Sequence, residues 1–124
     1  MKILVIFLIL FSFAFPAFSQ TANQQRYRAL SDAMGTTLSR NTAALEDFDS
    51  RVSDSGHYGR YSQFYRQYNN LARGLSESER RLNFLLQGNA PSGQINDEHK
   101  AFENLLRRLE TLKSDYDSWL RTVQ

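Results

Sequence analysis

Three segments of this chain carry mostly apolar residues at alternating steps of three and four, and this feature limits its fold more than any other. The middle segment is the most regular, with these residues at the repeat positions: Tyr61, Phe64, Tyr68, Leu71, Leu75, Ser78, Leu82 and Leu85. Such steps place every member on one face of an α-helix, as in the a and d positions of a heptad repeat. The alternation typical of β-strands is missing from the three segments. The pattern therefore predicts an all-α fold.

The first and third segments repeat this pattern less strictly. In the first segment the repeat positions are Tyr27, Leu30, Met34, Leu38, Asn41, Leu45, Phe48 and Val52. In the third they are Ile95, Glu98, Phe102, Leu105, Leu109, Leu112, Tyr116, Trp119 and Val123. Acid-first i,i+4 pairs, typical of solvated helix faces, are Asp47–Arg51, Glu77–Arg81, Glu103–Arg107 and Asp117–Arg121.

Two short stretches rich in glycine, serine and proline, 53–59 and 87–93, separate the three segments. We therefore expect helices over about 22–54, 59–87 and 95–123. Short connections make neighbouring helices antiparallel, so the pattern predicts an up-down-up three-helix bundle of coiled-coil type. Folding the chain at each loop predicts that one end of the bundle has a layer of aromatic rings, formed by Phe48, Phe64 and Trp119.

The N-terminus has the features of a secretory signal peptide. Lys2 precedes an apolar run, Ile3 to Phe15, that only one serine interrupts, and small residues follow up to Ser19. The run is about 20–24 Å long as a helix, shorter than a hydrocarbon core of about 30 Å, although a retained anchor is the alternative. We predict a signal peptide over 1–19, cleavage after Ser19, and a single mature domain over 20–124 without a transmembrane segment.

Charge and cysteine content limit the possible functions. The chain has 15 basic and 13 acidic residues, so loss of Lys2 with the signal leaves 14 against 13. A net charge this small produces no strong field and argues against nucleic acid as a partner. The absence of cysteine excludes disulfides, thiolate metal sites and thiol catalysis. Together with the lack of an Asn-x-Ser/Thr sequon, it favours an exported bacterial protein, periplasmic or secreted.

The residue types that carry most enzyme chemistry are sparse. His57 lies in the first predicted loop and His99 near the start of the third helix, where we expect exposure to solvent. Asn96 stands three residues before His99, so the Glu-x-x-His pattern of di-iron bundles is missing. The serine, aspartate and histidine of 53–57 lie in a turn and lack the framework of a hydrolase triad. We predict a non-enzymatic protein with no cofactor and no metal site.

Aromatic and basic residues are concentrated within 57–68. The a/d positions can bury several of these rings but not Tyr58 and Tyr65, which lie one heptad apart on a stripe beside them. Tyrosine and arginine are the residues most often found in interface hot spots. We therefore predict a site for a protein partner or for self-association. It consists of Tyr58, Arg60, Tyr61, Tyr65 and Arg66.

Other interpretations stay open at this stage. The aromatic rings could simply fill a wide bundle end, or they could stack on sugars of a glycan. A small ligand or glycan could bind between the helices near the polar repeat positions Thr37, Asn41 and Ser78, and an exposed apolar groove would suit a chaperone-like protein. Gly74 also leaves open a break in the second helix, because the capping pattern Ser76-x-x-Glu79 could start a new helix there.

Overall fold

The computed structural model of the chain describes residues 14–52 and 54–124. The elements, in chain order, are helix α1 (Ala14–Glu46), the short helix α2 (Phe48–Arg51), a 3-10 turn (Ser55–His57), helix α3 (Tyr58–Gln87) and helix α4 (Ser92–Val123). Three of these helices are long, and no strand occurs in the described parts of the chain, so the prediction of an all-α fold is confirmed. The predicted signal peptide lies mostly outside the described residues.

The first predicted helix ends earlier than expected. Helix α1 stops at Glu46, α2 follows at once, and Val52 then adopts an extended conformation with φ −126° and ψ 115°. Phe48 is 1% exposed and Val52 is 4% exposed. The chain turns at this point, and both apolar side chains lie in the core.

The turn between α3 and α4 follows from local residue types. Asn89 takes a positive φ of 52°, a conformation that asparagine tolerates better than most residues. The Ala90 N–H donates to the Leu85 carbonyl at 3.0 Å, which caps the end of α3 in the manner of a Schellman motif. Helix α4 begins directly after Pro91, whose carbonyl accepts the N–H of Ile95 at 3.2 Å.

Each of the three long helices packs against the other two. Near the start of α4, Glu98 pairs with Arg81 from the second half of α3. The Tyr116 hydroxyl, late in α4, donates to the Ala44 carbonyl of α1 at 3.2 Å. This packing is compatible with a helical bundle. Among the described residues, no helix has the length and apolar character needed to cross a membrane.

The buried face of α4 differs from the predicted one. The residues buried there are Ile95, His99, Phe102, Leu106, Leu109, Leu112, Tyr116 and Leu120. Glu98 and Trp119, which the repeat pattern included, are only half-buried. A helix that contacts two neighbours buries a wider face than the a/d positions alone. The predicted exposure of His99 is therefore wrong, because the side chain is 0% exposed.

Helix α3 is continuous through Gly74, so the break considered from the sequence does not occur. A Cβ at this position would lie 3.6 Å from the Cδ1 and Cδ2 atoms of Leu105 in α4. Leu75, the next residue, is 0% exposed. Packing against α4 thus stabilises the helix on both sides of the glycine and outweighs its low helix propensity.

Candidate functional site

The connection between α2 and α3 positions the candidate site. The Asp54 carboxylate accepts the Gly56 N–H at 2.9 Å and so caps the 3-10 turn. The turn leads directly into α3, which makes Tyr58 the first residue of that helix. The side chains gathered here form what we call the aromatic end. Its rings belong to Phe48, Tyr58, Tyr61, Phe64, Tyr65, Tyr116 and Trp119.

Phe48 lies at the centre of the aromatic end. Its ring stacks on Tyr61 at a centroid distance of 4.2 Å and on Trp119 at 5.8 Å. Trp119 also contacts Phe64 at 5.5 Å. The predicted layer of Phe48, Phe64 and Trp119 is therefore confirmed. Each such ring pair stabilises a fold by about 0.5–1.5 kcal/mol beyond the area it buries, so these contacts stabilise this end of the molecule.

Tyr58 and Tyr65 remain on the surface, as their position beside the repeat predicts. Their side chains are 43% and 45% exposed. Both rings contact Tyr61, with centroid distances of 6.4 Å and 6.1 Å. The Tyr58 hydroxyl donates to Asp49 Oδ1 at 2.6 Å. This hydrogen bond is the main reason why the pKa of Tyr58 is raised.

The Tyr61 ring packs against the exposed rings of Tyr58 and Tyr65. It is half-buried, and its hydroxyl donates to the Leu45 carbonyl at 2.9 Å. Burial raises the pKa of Tyr61, and the neighbouring Tyr65 raises it further. Burial also raises the pKa of Tyr116 to about 12. Both phenols are therefore neutral hydrogen-bond donors at physiological pH, and Tyr61 contributes only part of its ring to the surface.

The two arginines of the predicted site occupy different surroundings. The Arg60 guanidinium lies 4.8 Å from the centre of the Phe64 ring, and the Arg60 side chain also donates to Gln63 Oε1 at 3.0 Å. It borders a shallow groove between α3 and α4 that neither Tyr58 nor Tyr65 lines. Arg66 is exposed and forms no ion pair with any described residue. Arg60 therefore belongs to an adjoining face, while Arg66 is free to meet a partner.

Two neighbours of this site are absent from the predicted set of site residues. Asp49 holds the Tyr58 hydroxyl, although nothing in the repeat pattern distinguishes this acid from other surface acids. His57 is half-buried and its ring contacts the edge of Trp119 at 6.2 Å. Its Nε2 atom lies 3.8 Å from Asp54 Oδ2. The concentration of aromatic residues was the only signal that could have pointed to this imidazole.

The polar repeat positions considered for a ligand pocket are buried. Asn41 Nδ2 donates to the Thr37 carbonyl at 2.8 Å, a bond within α1, and Ser78 Oγ has no hydrogen-bond partner among the described residues. The grooves found on the described surface are lined by other residues. One of about 580 Å³ lies between α3 and α4, bordered by Gln67, Asn70, Leu71, Leu105, Arg107, Arg108, Thr111, Leu112 and Asp115.

His99 is the most unusual polar residue in the core. Within the part of the chain that the structure describes, neither ring nitrogen has a hydrogen-bond partner, since the nearby Ile95 carbonyl does not reach hydrogen-bond geometry. Burial, helped by the positive charge of Arg26, lowers the pKa of His99, and Glu103 opposes this only in part. The imidazole is therefore neutral at pH 7. In the described residues no three His, Asp or Glu side chains converge to hold a metal ion.

The sequence matches no protein-family model, and the chain has no significant match among curated proteins or solved structures. Its function is therefore inferred from the aromatic end and the surfaces around it. The most informative observation there is the exposure of Tyr58 and Tyr65 above a buried ring cluster.

Proposed function

We propose that this chain is an exported, non-enzymatic helical-bundle protein that binds a protein partner, or a second copy of itself, through its aromatic end. The observation that carries the proposal is the pair of exposed rings, Tyr58 and Tyr65, at 43% and 45%. Rings of this kind give large contact area with few rotatable bonds, which is why tyrosine is frequent at interfaces.

The exposed rings are held in place before any partner arrives. Tyr58 is fixed by its hydrogen bond to Asp49 and by its edge contact with Phe48 at 5.5 Å. Tyr65 leans on Tyr61, which is itself stacked on Phe48. Little side-chain entropy would be lost on binding, so a partner that covers these rings gains more of the contact energy. Arg66 lies next to Tyr65 in the chain and would form the polar rim.

The proposal includes the finer architecture that the sequence predicts. In an up-down-up bundle the starts of α1 and α4 lie at the same end, and the Arg26–Glu103 ion pair at 2.7 Å supports this. The hydrogen bond between Tyr116 and the Ala44 carbonyl supports the same arrangement at the other end. Export rests on the signal-peptide pattern of residues 1–19 and places the function in the cell envelope or outside the cell.

The decisive experiment compares the double variant Tyr58→Ala/Tyr65→Ala with Phe84→Ala. Phe84 is a matched control because it is 76% exposed and lies near the opposite end of α3. Self-association is measured by sedimentation velocity. Binding of other proteins is measured by photo-crosslinking from a benzophenone residue placed at position 65 or at position 84. We expect specific crosslinks or self-association from position 65, and a loss of about 30-fold or more in affinity in the double variant.

Two results would contradict this proposal. One is a double variant that associates as tightly as the parent chain. The other is an absence of both self-association and crosslinks from position 65. Thermal melting of each variant shows whether a loss of binding reflects a loss of folding.

A further inference from the structure

One arginine of α1 bridges two residues of α4 that flank His99. The Arg26 guanidinium donates to Asn96 Oδ1 at 3.1 Å and to Glu103 Oε1 at 2.7 Å. Asn96, His99 and Glu103 follow one another at steps of three and four, so they lie on one face of α4. The guanidinium therefore extends over the position of His99, whose side chain is 0% exposed. We call Arg26, Asn96, His99 and Glu103 the His99 cluster.

The first half of α1 packs against the other helices without a fully buried side chain. No residue between 21 and 36 is buried, whereas Thr37 and Asn41, further along the helix, are. Segments that bury little apolar surface open at a lower free energy than the core does. The bonds of Arg26 are therefore important for the attachment of this half. Its apolar contacts with the core come from three half-buried side chains, Tyr27, Leu30 and Met34.

The second half of α1 is attached more firmly, at the aromatic end. The Ala44 carbonyl accepts the Tyr116 hydroxyl at 3.2 Å, and the Leu45 carbonyl accepts the Tyr61 hydroxyl at 2.9 Å. Leu45 itself is 5% exposed. A disturbance in the His99 cluster can therefore open the first half of α1 without opening the second.

A proton on His99 would disturb the charges of the His99 cluster. The imidazole has no hydrogen-bond partner in the described residues, and burial together with the positive charge of Arg26 lowers its pKa. Glu103 opposes this shift in the pKa only in part. Once His99 is protonated, two cations share the carboxylate of Glu103. The bond between Arg26 and Glu103 is then weakened, and with it the attachment of α1.

The ionisable groups of α3 at this end do not supply a second counter-charge. Glu79 accepts a hydrogen bond from Ser31 of α1, and Arg81 pairs with Glu98 of α4. Tyr27 of α1 stays neutral, because burial raises its pKa. None of these groups contributes to the pKa shift of His99. The other charged residues of α3 and α4 near this end are exposed, namely Glu77, Arg80, Asp97 and Lys100.

We propose that protonation of His99 releases the first half of α1 from α3 and α4 while the aromatic end stays folded. In the released form the imidazole is in water, where its pKa has the ordinary value of 6.5. The released form therefore binds a proton more readily than the closed form below pH 6.5. Its population rises by up to about tenfold as the pH falls from about 7.5 to about 5.5. The inference does not depend on the proposed function, because the His99 cluster lies away from the aromatic end.

Hydrogen–deuterium exchange with mass spectrometry tests the proposal on the chain as it is purified from cells, at about pH 7.5 and about pH 5.5. The exchange rates are corrected for the intrinsic effect of pH. We expect peptides within 21–36 to be less protected than those around Tyr61 and Tyr116, and to lose up to about tenfold of their protection at the lower pH. Trp119 is the only tryptophan of the chain and reports on the aromatic end. Its emission should not change with pH in a His57→Gln chain, which lacks the imidazole that contacts this ring.

Four variants separate the roles of the residues. His99→Leu and His99→Gln do not titrate and should remove the pH dependence within 21–36, and the second serves if the first does not fold. Arg26→Gln should lower the protection of 21–36 at about pH 7.5 by about three- to fivefold. The matched control is Arg28→Gln, which removes the same charge from an exposed position on α1 and should lower it by less than about twofold.

Three results would overturn the proposal. The first is a protection of 21–36 that does not depend on pH, or whose dependence persists in both His99 variants. The second is a protection of 21–36 that equals that around Tyr61 and Tyr116 and changes with it, because the opening would then be global unfolding. The third is an equal loss of protection in Arg26→Gln and Arg28→Gln.

Discussion

At the scale of single residues, His99 makes the stability of this protein sensitive to acid. Its imidazole is 0% exposed and has no hydrogen-bond partner in the described residues, and burial lowers its pKa below the ordinary value of 6.5. The unfolded chain therefore binds a proton more readily than the folded chain just below pH 6.5. Stability contributed by the neutral ring is complete above pH 6.5 and is lost as pH falls toward the folded pKa.

We predict that the free energy of unfolding falls by up to about 1 kcal/mol between about pH 7 and about pH 5.5 in the parent chain, and that His99→Leu removes this dependence. The measurement is urea unfolding at both pH values. His57→Gln serves as the control, because His57 is only half-buried, and it should keep the dependence. An unchanged pH dependence in His99→Leu would assign the effect to other groups.

The rings of Tyr61 and Tyr65 contact each other but have different roles. Removing the hydroxyl from each tyrosine in turn tests this difference. Tyr61→Phe removes the hydrogen bond to the Leu45 carbonyl and should lower the free energy of unfolding by about 1 kcal/mol. Tyr65→Phe leaves an exposed ring in place and should change it by less than about 0.5 kcal/mol. Chemical denaturation of both variants measures the difference. Equal effects of the two variants on the free energy of unfolding would mean that the Tyr61 hydroxyl does not stabilise the fold.

The exposure of Tyr58 and Tyr65 was predictable from the sequence because it follows from heptad arithmetic within one helix. The burial of His99 was not, because it depends on how many helices α4 contacts. The a/d positions are the buried positions of a helix that packs against one neighbour. His99 lies beside these positions, as do Leu106 and Leu120. Asp49 was also unpredictable, because its partner Tyr58 lies across a turn whose conformation only the structure shows.

At the scale of helices, local patterns predicted the elements well and their side-chain partners poorly. Of the four acid-first i,i+4 pairs, the structure forms Asp47–Arg51 at 3.0 Å. Arg81 pairs with Glu98 of α4, and Glu103 pairs with Arg26 of α1. Contacts between helices provide alternative partners that sequence spacing does not show. An i,i+4 pair is worth only about 0.2–0.5 kcal/mol, so such an alternative easily replaces it.

The glycines within α1 and α3 lead to a prediction about helix stability. Gly74→Ala places a Cβ 3.6 Å from the Leu105 side chain, an ordinary contact, and Gly35→Ala meets no atom within 4 Å. Alanine is favoured over glycine inside a helix by about 1 kcal/mol, so each variant should raise the free energy of unfolding by that amount. Urea unfolding measures both. If Gly74→Ala destabilises the chain while Gly35→Ala stabilises it, α3 and α4 approach each other more closely than the Leu105 contact indicates.

At the scale of the whole molecule, the two ends of α3 differ in what they present to solvent. The aromatic end exposes two tyrosines over a buried cluster, whereas the opposite end exposes Phe84 beside Arg80 and Arg81. The sequence predicted the first of these surfaces from composition. It did not single out the second, because the Glu77–Arg81 pair was interpreted as part of a solvated helix face. Which cations remain unpaired depends on the contacts between helices.

The aromatic end stabilises the fold and, in the proposed function, also presents a contact surface. These two roles can be separated. Phe48→Ala removes a ring that is 1% exposed and stacked between Tyr61 and Trp119. We expect it to lower the free energy of unfolding by about 3–5 kcal/mol, a large part of the total of about 5–15 kcal/mol for a domain. Tyr58→Ala/Tyr65→Ala should cost much less, because both rings are already partly in water.

Denaturant unfolding and the association assay, run on the same samples, distinguish the two roles. Phe48→Ala should weaken association mainly by unfolding the chain, so most of the association should return under conditions that restore folding, less the part that depends on Phe48 holding Tyr58 and Tyr61 in place. The tyrosine double variant should stay folded and yet fail to associate. If the double variant instead unfolds as readily as Phe48→Ala, the two tyrosines are part of the core. The contact surface of this protein would then lie outside the aromatic end.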